Sequence, residues 1–263
     1  MKLFSSLKHL PLLLAGSMSF LSYGEAQQPI GDSTTVAEQY LLAAANQERA
    51  ALGLSQLHRD ALLANAATEH ARVMAEHKSI SHQFPGEPEL TERAASAAVR
   101  FSVISENVAE APSAVTIHDM WMHSPGHRGN LLDPAVNAVG ISVIARGGEL
   151  YAVEDFAKIV QPLSLEQQES AIASLVAQPG LSVIENSDNI SAARQTCAMS
   201  TGYAGERKPW FVMRFTSDSV GLLPSELKTR IASGRYHQAV VGACSTGANG
   251  PFAAYNIAVL LYP

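Results

Sequence analysis

The sequence is poor in charge, has no excess of basic residues and lacks a long apolar run beyond its N-terminus. Charged residues make up 16% of the chain and the formal net charge is -6, so nucleic-acid binding through phosphate neutralisation is not expected. No later stretch approaches the roughly twenty apolar residues that a transmembrane helix needs. A hydrophobic content of 47% is ordinary for a folded globular protein, and 263 residues suffice for one large domain or two modest ones.

Familiar catalytic motifs are also missing. The chain contains no His-Glu-x-x-His motif, which argues against a zincin protease, and no Gly-x-Ser-x-Gly nucleophile elbow. No glycine-rich phosphate loop stands between a strand and a helix. A serine hydrolase would have to pair Ser124 with His127 and use Glu106 as the orienting acid. The sequence therefore favours a non-catalytic protein over a hydrolase.

The N-terminus has the composition of a secretory signal peptide. Two lysines precede an apolar segment at residues 10–21, and Gly24 and Ala26 supply the small residues of a cleavage site. We therefore predict that residues 1–26 are removed and that the mature protein is secreted or periplasmic, with no transmembrane segment after cleavage. No cysteine stands at the cleavage site to carry a lipid anchor. The alternative is an amphipathic N-terminal helix that remains in the folded protein.

Only two cysteines occur, Cys197 and Cys244, and both lie in the C-terminal third. In the oxidising compartment that export implies, they can form one disulfide. The rival interpretation is a nucleophilic Cys244 assisted by His237, but the sequence shows no third group to orient the histidine.

The first part of the chain alternates helices with a few strands. Helices are predicted at residues 35–52, from Asp60 to His77, and from Ser113 to the Ser124-Pro125-Gly126 break, and a hairpin at residues 138–144 and 150–156. No regular βαβ spacing is present, so the fold class is α+β rather than a doubly wound parallel sheet.

A boundary is expected at Gln161-Pro162, which would separate a domain at residues 33–160 from a smaller α+β domain at residues 163–263. For the second domain we predict a helix from Ser164 to Ala177, a helix after Pro224, and strands at residues 181–184, 192–199, 210–215, 238–244 and 252–262. Both domains place a Val-Gly strand before a glycine-rich turn and an aromatic-bearing strand. The second domain is therefore either a degenerate repeat of the first or similar to it by chance.

Several short motifs occur in an order that resembles the CAP superfamily of cysteine-rich secretory, antigen 5 and pathogenesis-related 1 proteins, and in particular its bacterial SCP-like extracellular branch. The motifs are Asn46-x-x-Arg49, His82, Ser105-Glu106-Asn107-Val108-Ala109, Trp121-Met-x-Ser124-Pro-Gly-His127-Arg-x-Asn130, Val139-Gly140-Ile141 and residues 151–156. The resemblance covers a little under half of the chain. It implies an α/β/α sandwich with a surface cleft lined by two histidines and two acids that can take up a divalent metal, often zinc.

This resemblance assigns roles to nine residues. The cleft residues it implies are His82, Glu106, His127, Ser124 and Asn107, and the structural supports are Asn46, Arg49, Trp121 and Asn130. His82 and His127 are the implied metal ligands, with Glu106 as a third. A serine, Ser124, stands where the family has its second acid, and Ser105 replaces a glycine, which weakens the expectation of tight zinc binding.

Other polar residues receive plainer interpretations. His70 and His77 lie two turns apart on one helix, too far to share a metal ion, and each is interpreted as a boundary histidine. Asp155 is interpreted as a solvated or capping side chain and Glu154 as a residue at the cleft rim. His123 is interpreted as an exposed helix-end residue, because the Pro-Gly break keeps it from sharing a helix face with His127.

Three functions from different classes remain. The first is an exported CAP-domain protein that binds a small ligand, a divalent metal or a partner in its cleft; for the family, such ligands include lipids or sterols, and partners include cell-surface proteins. The second is a zinc-dependent hydrolase that uses His82, Glu106 and His127 around a metal-bound water. The third is an extracellular interaction module whose binding surface lies in the second domain.

Overall fold

The computed structural model describes residues 34–245 and 251–263. The predicted signal peptide, residues 1–26, lies outside these residues. Within the part that is described, no helix is both long and apolar enough to cross a membrane.

The first two helices begin where their capping residues predict. Helix α1 (Val36–Ala51) follows Thr35, whose hydroxyl accepts a hydrogen bond from the Glu38 amide while the Glu38 carboxylate accepts one from the Thr35 amide. Helix α2 (Ala61–His77) follows Asp60, whose carboxylate caps the amide of Leu63. Three shorter helices follow in this domain: α3 (Leu90–Ser96), α4 (Ala114–His123) and α5 (Pro125–Leu131).

One four-stranded sheet separates these helices into two layers. Its strands are β1 (His58–Arg59), β2 (Phe101–Ala111), β3 (Ala138–Arg146) and β4 (Glu149–Ile159), in the order β1-β3-β4-β2. Strands β1 and β3 are parallel and the other pairs are antiparallel, which confirms the predicted hairpin. Strand β4 is central in the sheet, and the helix layers bury both of its faces, whereas β2 lies at the sheet edge.

The two sheet faces carry separate hydrophobic clusters. On one face, Ala67, Ala71 and Met74 of α2 pack against Val108 and Val153 of the sheet. On the other face, α1 and α4 pack their apolar sides, including the fully buried Trp121, against β3 and β4. This arrangement is the α/β/α sandwich that the resemblance implies.

The second domain repeats this architecture with fewer helices. It contains α6 (Leu165–Val176), β5 (Ser182–Val183), α7 (Ser187–Ala198), β6 (Phe211–Ser217), α8 (Ser225–Ala232), β7 (Gln238–Cys244) and β8 (Tyr255–Tyr262). The strand order is β5-β7-β8-β6, with one parallel pair at the β5 end and antiparallel pairs elsewhere, as in the first sheet. The predicted α+β class with a second domain is confirmed.

One glycine in each domain shows that the two folds correspond in detail. A Cβ atom at Gly140 of β3 would lie 2.3 Å from the carbonyl carbon of Leu63, and one at Gly242 of β7 would lie 2.3 Å from the carbonyl carbon of Ala193. In the first domain α2 therefore crosses directly over β3, and in the second domain α7 crosses directly over β7. In each case the helix backbone lies so close to the strand that only glycine fits. The likeness between the two hairpin sequences thus reflects a structural repeat.

Two local structures differ from the sequence predictions. Residues 192–199, predicted as a strand, belong to helix α7, which begins after an Asn186 cap that accepts from the amide of Asn189. Ala193 and Thr196, three residues apart, face inward from that helix, so the buried residues follow helical rather than strand spacing. The segment after the Pro-Gly break, for which no helix was predicted, forms α5 and carries His127, because Pro125 occupies the first helical turn, where its missing N–H costs nothing.

The predicted disulfide is confirmed. Cys197 of α7 is bonded to Cys244 of β7 across a sequence separation of 47 residues. The bond joins the helix to the strand on which it packs, and closure of such a loop contributes about 4 kcal/mol to stability in the chain-entropy model. A nucleophilic role for Cys244 is therefore not supported in this oxidised state.

Candidate functional site

Three residues implied by the resemblance meet at the edge of the first sheet. Glu106 lies on edge strand β2, His82 on the loop after α2, and His127 on α5. The Nδ1 atom of His82 lies 2.8 Å from Oε1 of Glu106, and the ring centroids of His82 and His127 are 6.5 Å apart. His82, Glu106 and His127 therefore lie around one space beside β2, which is called the cleft below.

Glu106 is buried and its two carboxylate oxygens are engaged. Its side chain is 3% exposed, and Oε2 accepts a hydrogen bond from Nη2 of Arg93 while Oε1 faces His82. Arg93 also donates to the carbonyl oxygens of His82 and Pro88 through Nη1. A single buried arginine therefore holds both the acid of the cleft and the backbone of the loop that carries the first histidine.

A buried histidine beneath the cleft fastens the same loop. His70 of α2 places Nδ1 2.6 Å from Oε1 of Glu87 and Nε2 2.7 Å from the carbonyl oxygen of Ser81. Glu87 also accepts from the amide of Phe84. Both ring nitrogens of His70 thus lie within hydrogen-bond distance of oxygen atoms, and the ring ties α2 to the loop that carries His82. The interpretation of His70 as a boundary residue is wrong, because the side chain is fully buried.

The other wall of the cleft is built by α5 and two asparagines. Asn107 of β2 donates to the carbonyl oxygen of His127 and accepts from Asn130, which also donates to the carbonyl oxygen of Glu106. The indole N–H of Trp121 donates to the carbonyl oxygen of Val108. Because Glu106 and Val108 are two apart on an edge strand, these side chains satisfy outward-facing carbonyls that would otherwise invite strand addition.

The imidazole of His127 favours its neutral form. Its partial burial, and secondly the neighbouring His82, lower the pKa of His127 below the ordinary histidine value. Ser124 begins α5, and its side chain makes no capping hydrogen bond. His123 is exposed at the end of α4, as predicted, and its Nδ1 lies 2.8 Å from the carbonyl oxygen of Asp119.

Two polar side chains of α1 bind the backbone of neighbouring segments. Asn46 exchanges two hydrogen bonds with the backbone of Leu57. The fully buried guanidinium of Arg49 donates to four carbonyl oxygens, those of Ser55, Leu131, Asp133 and Val136. Because three of these carbonyls lie at or beyond the end of α5, Arg49 fixes the segment on which His127 and Asn130 lie.

Two buried acids of β4 were not recognised from the sequence. Asp155 lies directly across from Glu106, and burial, followed by the charge of Glu106, raises the pKa of Asp155 well above its ordinary value. Glu154 lies across from Asn107 on the other sheet face; burial raises the pKa of Glu154 to about 8, and neither carboxylate oxygen has a hydrogen-bond partner in the described structure. The interpretations as solvated and rim residues are wrong, because β4 is covered on both faces.

The cleft nitrogen atoms that are available to a metal ion belong to the imidazole rings of His82 and His127. Among residues 34–245 and 251–263, no three His, Cys, Asp or Glu side chains are grouped so that they could hold a metal ion. In the same residues no hydrogen bond engages Nε2 of His82 or the ring of His127. The residues present therefore suit a two-histidine site in which Glu106 supports His82, and they do not suit a closed structural zinc site, which needs four protein ligands.

The second domain does not repeat the cleft chemistry. Gly242 pairs with Ala258, which pairs with Arg214, in the register that joins Gly140, Asp155 and Glu106 in the first domain. Arg214 thus replaces the acid, and its guanidinium donates to the carbonyl oxygens of Thr196 and Gly202. Because the positively charged guanidinium of Arg214 is held at this position by two backbone carbonyls, a cation cannot bind there.

Comparison with known proteins agrees with the geometry. The profile of the CAP, or cysteine-rich secretory protein, family matches residues 42–156. YkwD of Bacillus subtilis (strain 168), an uncharacterised protein, is 26% identical over 116 residues, which are 44% of this chain and 45% of YkwD. The chain thus matches less than half the length of that curated relative.

Two solved structures are similar to the same half of the chain. An extracellular SCP-domain protein of Bacillus anthracis is 26% identical, with 46% of this chain and 40% of that chain covered and a TM-score of 0.44. An outer surface protein of Borrelia burgdorferi is 21% identical, with 48% of this chain and 96% of that chain covered and a TM-score of 0.45. The matched family profile and the motifs agree that residues 42–156, within the first domain, are similar to the CAP, or cysteine-rich secretory protein, family.

Proposed function

We propose that this protein is an exported, non-catalytic binding protein whose cleft takes up a divalent cation, with zinc as the reference ion, through His82 and His127. The observation that carries the proposal is the hydrogen bond between His82 and buried Glu106, with His127 facing the same space. Histidines that ligate metals usually donate their other ring N–H to a carboxylate, which fixes the tautomer and the ring orientation. If Nδ1 of His82 donates to Glu106, Nε2 is left with a lone pair toward the cleft.

The same geometry favours reversible rather than structural binding. Two neutral imidazoles leave coordination positions for water or for oxygen and nitrogen donors of a small ligand or partner. A cation held this way would supply a charged anchor for such a ligand. The lowered pKa of His127 keeps this imidazole available as a donor to a lower pH than an ordinary histidine. Export is supported by the predicted signal peptide and by the disulfide.

The alternative functions have less support. A zinc-dependent hydrolase would need Glu106 as general base, yet both oxygens of Glu106 are already occupied by His82 and Arg93. The lipid, sterol and cell-surface partners that the family resemblance implies have no chemical counterpart among the cleft residues. A purely structural cleft, with recognition in the second domain, is the outcome that the following experiment would favour if zinc does not bind.

Zinc titration of the mature protein, residues 27–263, tests the proposal. We expect saturable binding at one site per chain by calorimetry, and His127→Ala should weaken it by at least about tenfold because one of two protein ligands is lost. His82→Ala should do the same. Affinity should also fall as the pH is lowered, since protons compete for both imidazoles.

His123→Ala is the matched control, because His123 is exposed, lies four residues from His127 and binds only the helix that carries it. This variant should bind zinc as the unaltered protein does. Equal affinity in the His127→Ala and His123→Ala proteins would remove the cleft-metal model.

A further inference from the structure

The second domain contacts the first at the start of the strand that carries Glu106. The ring of Phe252 packs edge-on against that of Phe101 with 5.3 Å between centroids, and the amide of Ala253 donates to the carbonyl oxygen of Phe101 at 2.7 Å. Phe252 also forms a parallel bridge with Phe101. The segment before β8 thus adds to the free edge of β2, five residues before Glu106.

A polar contact also joins the two domains near the start of β2. Asp218, which follows β6, accepts from Nζ of Lys158 at 2.7 Å and from Oγ of Ser102 at 2.9 Å through Oδ2. The bond to Lys158, aided by that to Ser102, lowers the pKa of Asp218. Lys158 lies near the end of β4, and Ser102 near the start of β2. One carboxylate of the second domain therefore holds both strands that carry the buried acids of the cleft.

Packed side chains connect the start of β2 with the cleft. Phe101 is fully buried in a cluster with Leu63, Ala94 and Ala157. Ala94 directly follows Arg93 on α3, and Arg93 holds both Glu106 and the backbone of His82. Interiors are close-packed, so a shift of the Phe101 ring has to move the helix turn above it. The position of Arg93 therefore depends on how firmly Phe101 is held.

We propose that Phe252 and Asp218 of the second domain are positioning residues for the cleft of the first. They brace the start of β2 and, through Phe101 and α3, the Arg93–Glu106–His82 group. The second copy of the fold, which carries an arginine at the acid position, would then serve the site of the first copy. The consequence for metal affinity rests on the proposed function, whereas the consequence for His82 geometry does not.

The test compares Phe252→Ala with Trp210→Ala in the mature protein. Trp210 is also an exposed aromatic residue of the second domain, with 64% exposure against 55% for Phe252, but it lies at the opposite end of β6 from Asp218. Histidine ring resonances are recorded by NMR at one pH without metal, and zinc affinity is measured separately. Phe252→Ala should shift the ring signals of His82 and His127, leave those of exposed His123 in place, and weaken zinc binding by up to about tenfold.

Two further variants separate positioning from general loss of structure. Asp218→Asn keeps the side-chain shape and should shift the same histidine signals by a smaller amount, whereas Phe252→Tyr keeps the ring and should restore them. Trp210→Ala should shift neither. A folded Phe252→Ala protein with unaltered His82 signals would overturn the proposal, and so would equal shifts from Trp210→Ala. If the unaltered protein binds no zinc, the proposed function fails while the NMR comparison still decides the positioning role.

Discussion

Replacement of Arg93 by methionine should lower the free energy of unfolding by about 3 to 5 kcal/mol, the range for removal of one partner of a buried ion pair. Methionine retains most of the length of the arginine side chain and removes its charge. Glu106, whose side chain is 3% exposed, would then keep only histidine partners, His82 at 2.8 Å and His70 at 3.8 Å. The carbonyl oxygens of His82 and Pro88 would lose their donor as well. Denaturant unfolding followed by circular dichroism measures the loss.

Arg72→Met is the matched control. Arg72 is 52% exposed and pairs with exposed Glu69 on the same helix, an arrangement worth about 0 to 1 kcal/mol. The double variant Arg93→Met with Glu106→Gln should recover part of the loss, because the buried carboxylate no longer needs a cation. Equal destabilisation by Arg93→Met and Arg72→Met would show that the buried pair does not support the fold.

The motif residues of the first domain could be predicted from the sequence because their side chains bind the backbone. Asn46 and Arg49 bind carbonyl groups, Trp121 and Asn130 cap the outward carbonyls of β2, and the order of these residues along the chain resembles one family. The convergence of His82, Glu106 and His127 followed from the same resemblance. Hairpin β3–β4 could be predicted because its turn is two glycines, both with positive φ.

The ion network beneath the cleft could not be predicted in the same way. His70, Glu87 and Arg93 lie on a helix, a loop and another helix, and nothing in their spacing shows that they share one buried space with Glu106. In the sequence, these charged residues look the same as charged residues that lie on a protein surface. Only the packing of α3 and the loop against α2 turns them into partners.

The second domain has the fold of the first domain but lacks the acid of its cleft. Gly242 retains the close helix crossing, and Ser164 retains the capping box of the first helix, while Arg214 replaces the acid. The two domains therefore share backbone geometry at positions where their side-chain chemistry differs. The strand prediction at residues 192–199 is wrong because short apolar runs do not distinguish strands from helices, whereas the Asn186 cap six residues earlier starts a helix.

Glu154→Gln should remove a large pH dependence of stability. Burial raises the pKa of Glu154 to about 8 in the folded protein, whereas a carboxyl group in an unfolded chain titrates near about 4.3. Between these values the folded state binds more protons than the unfolded state, so stability falls as the pH rises, and the fall ends above about pH 8. Glutamine has a similar shape and cannot ionise.

The stability of Glu154→Gln relative to the unaltered protein should therefore increase by about 4 kcal/mol between about pH 5 and about pH 8, because each pH unit within the window contributes about 1.4 kcal/mol. Urea unfolding at a series of pH values measures this difference, and buried Asp155 cancels because both proteins contain it. Glu149→Gln, at the partly exposed start of the same strand, serves as the control. The difference in unfolding free energy between this variant and the unaltered protein should stay constant across the pH series. A constant difference between Glu154→Gln and the unaltered protein across this range would mean that Glu154 is solvated or paired, because only an isolated buried carboxyl group holds its proton to about pH 8.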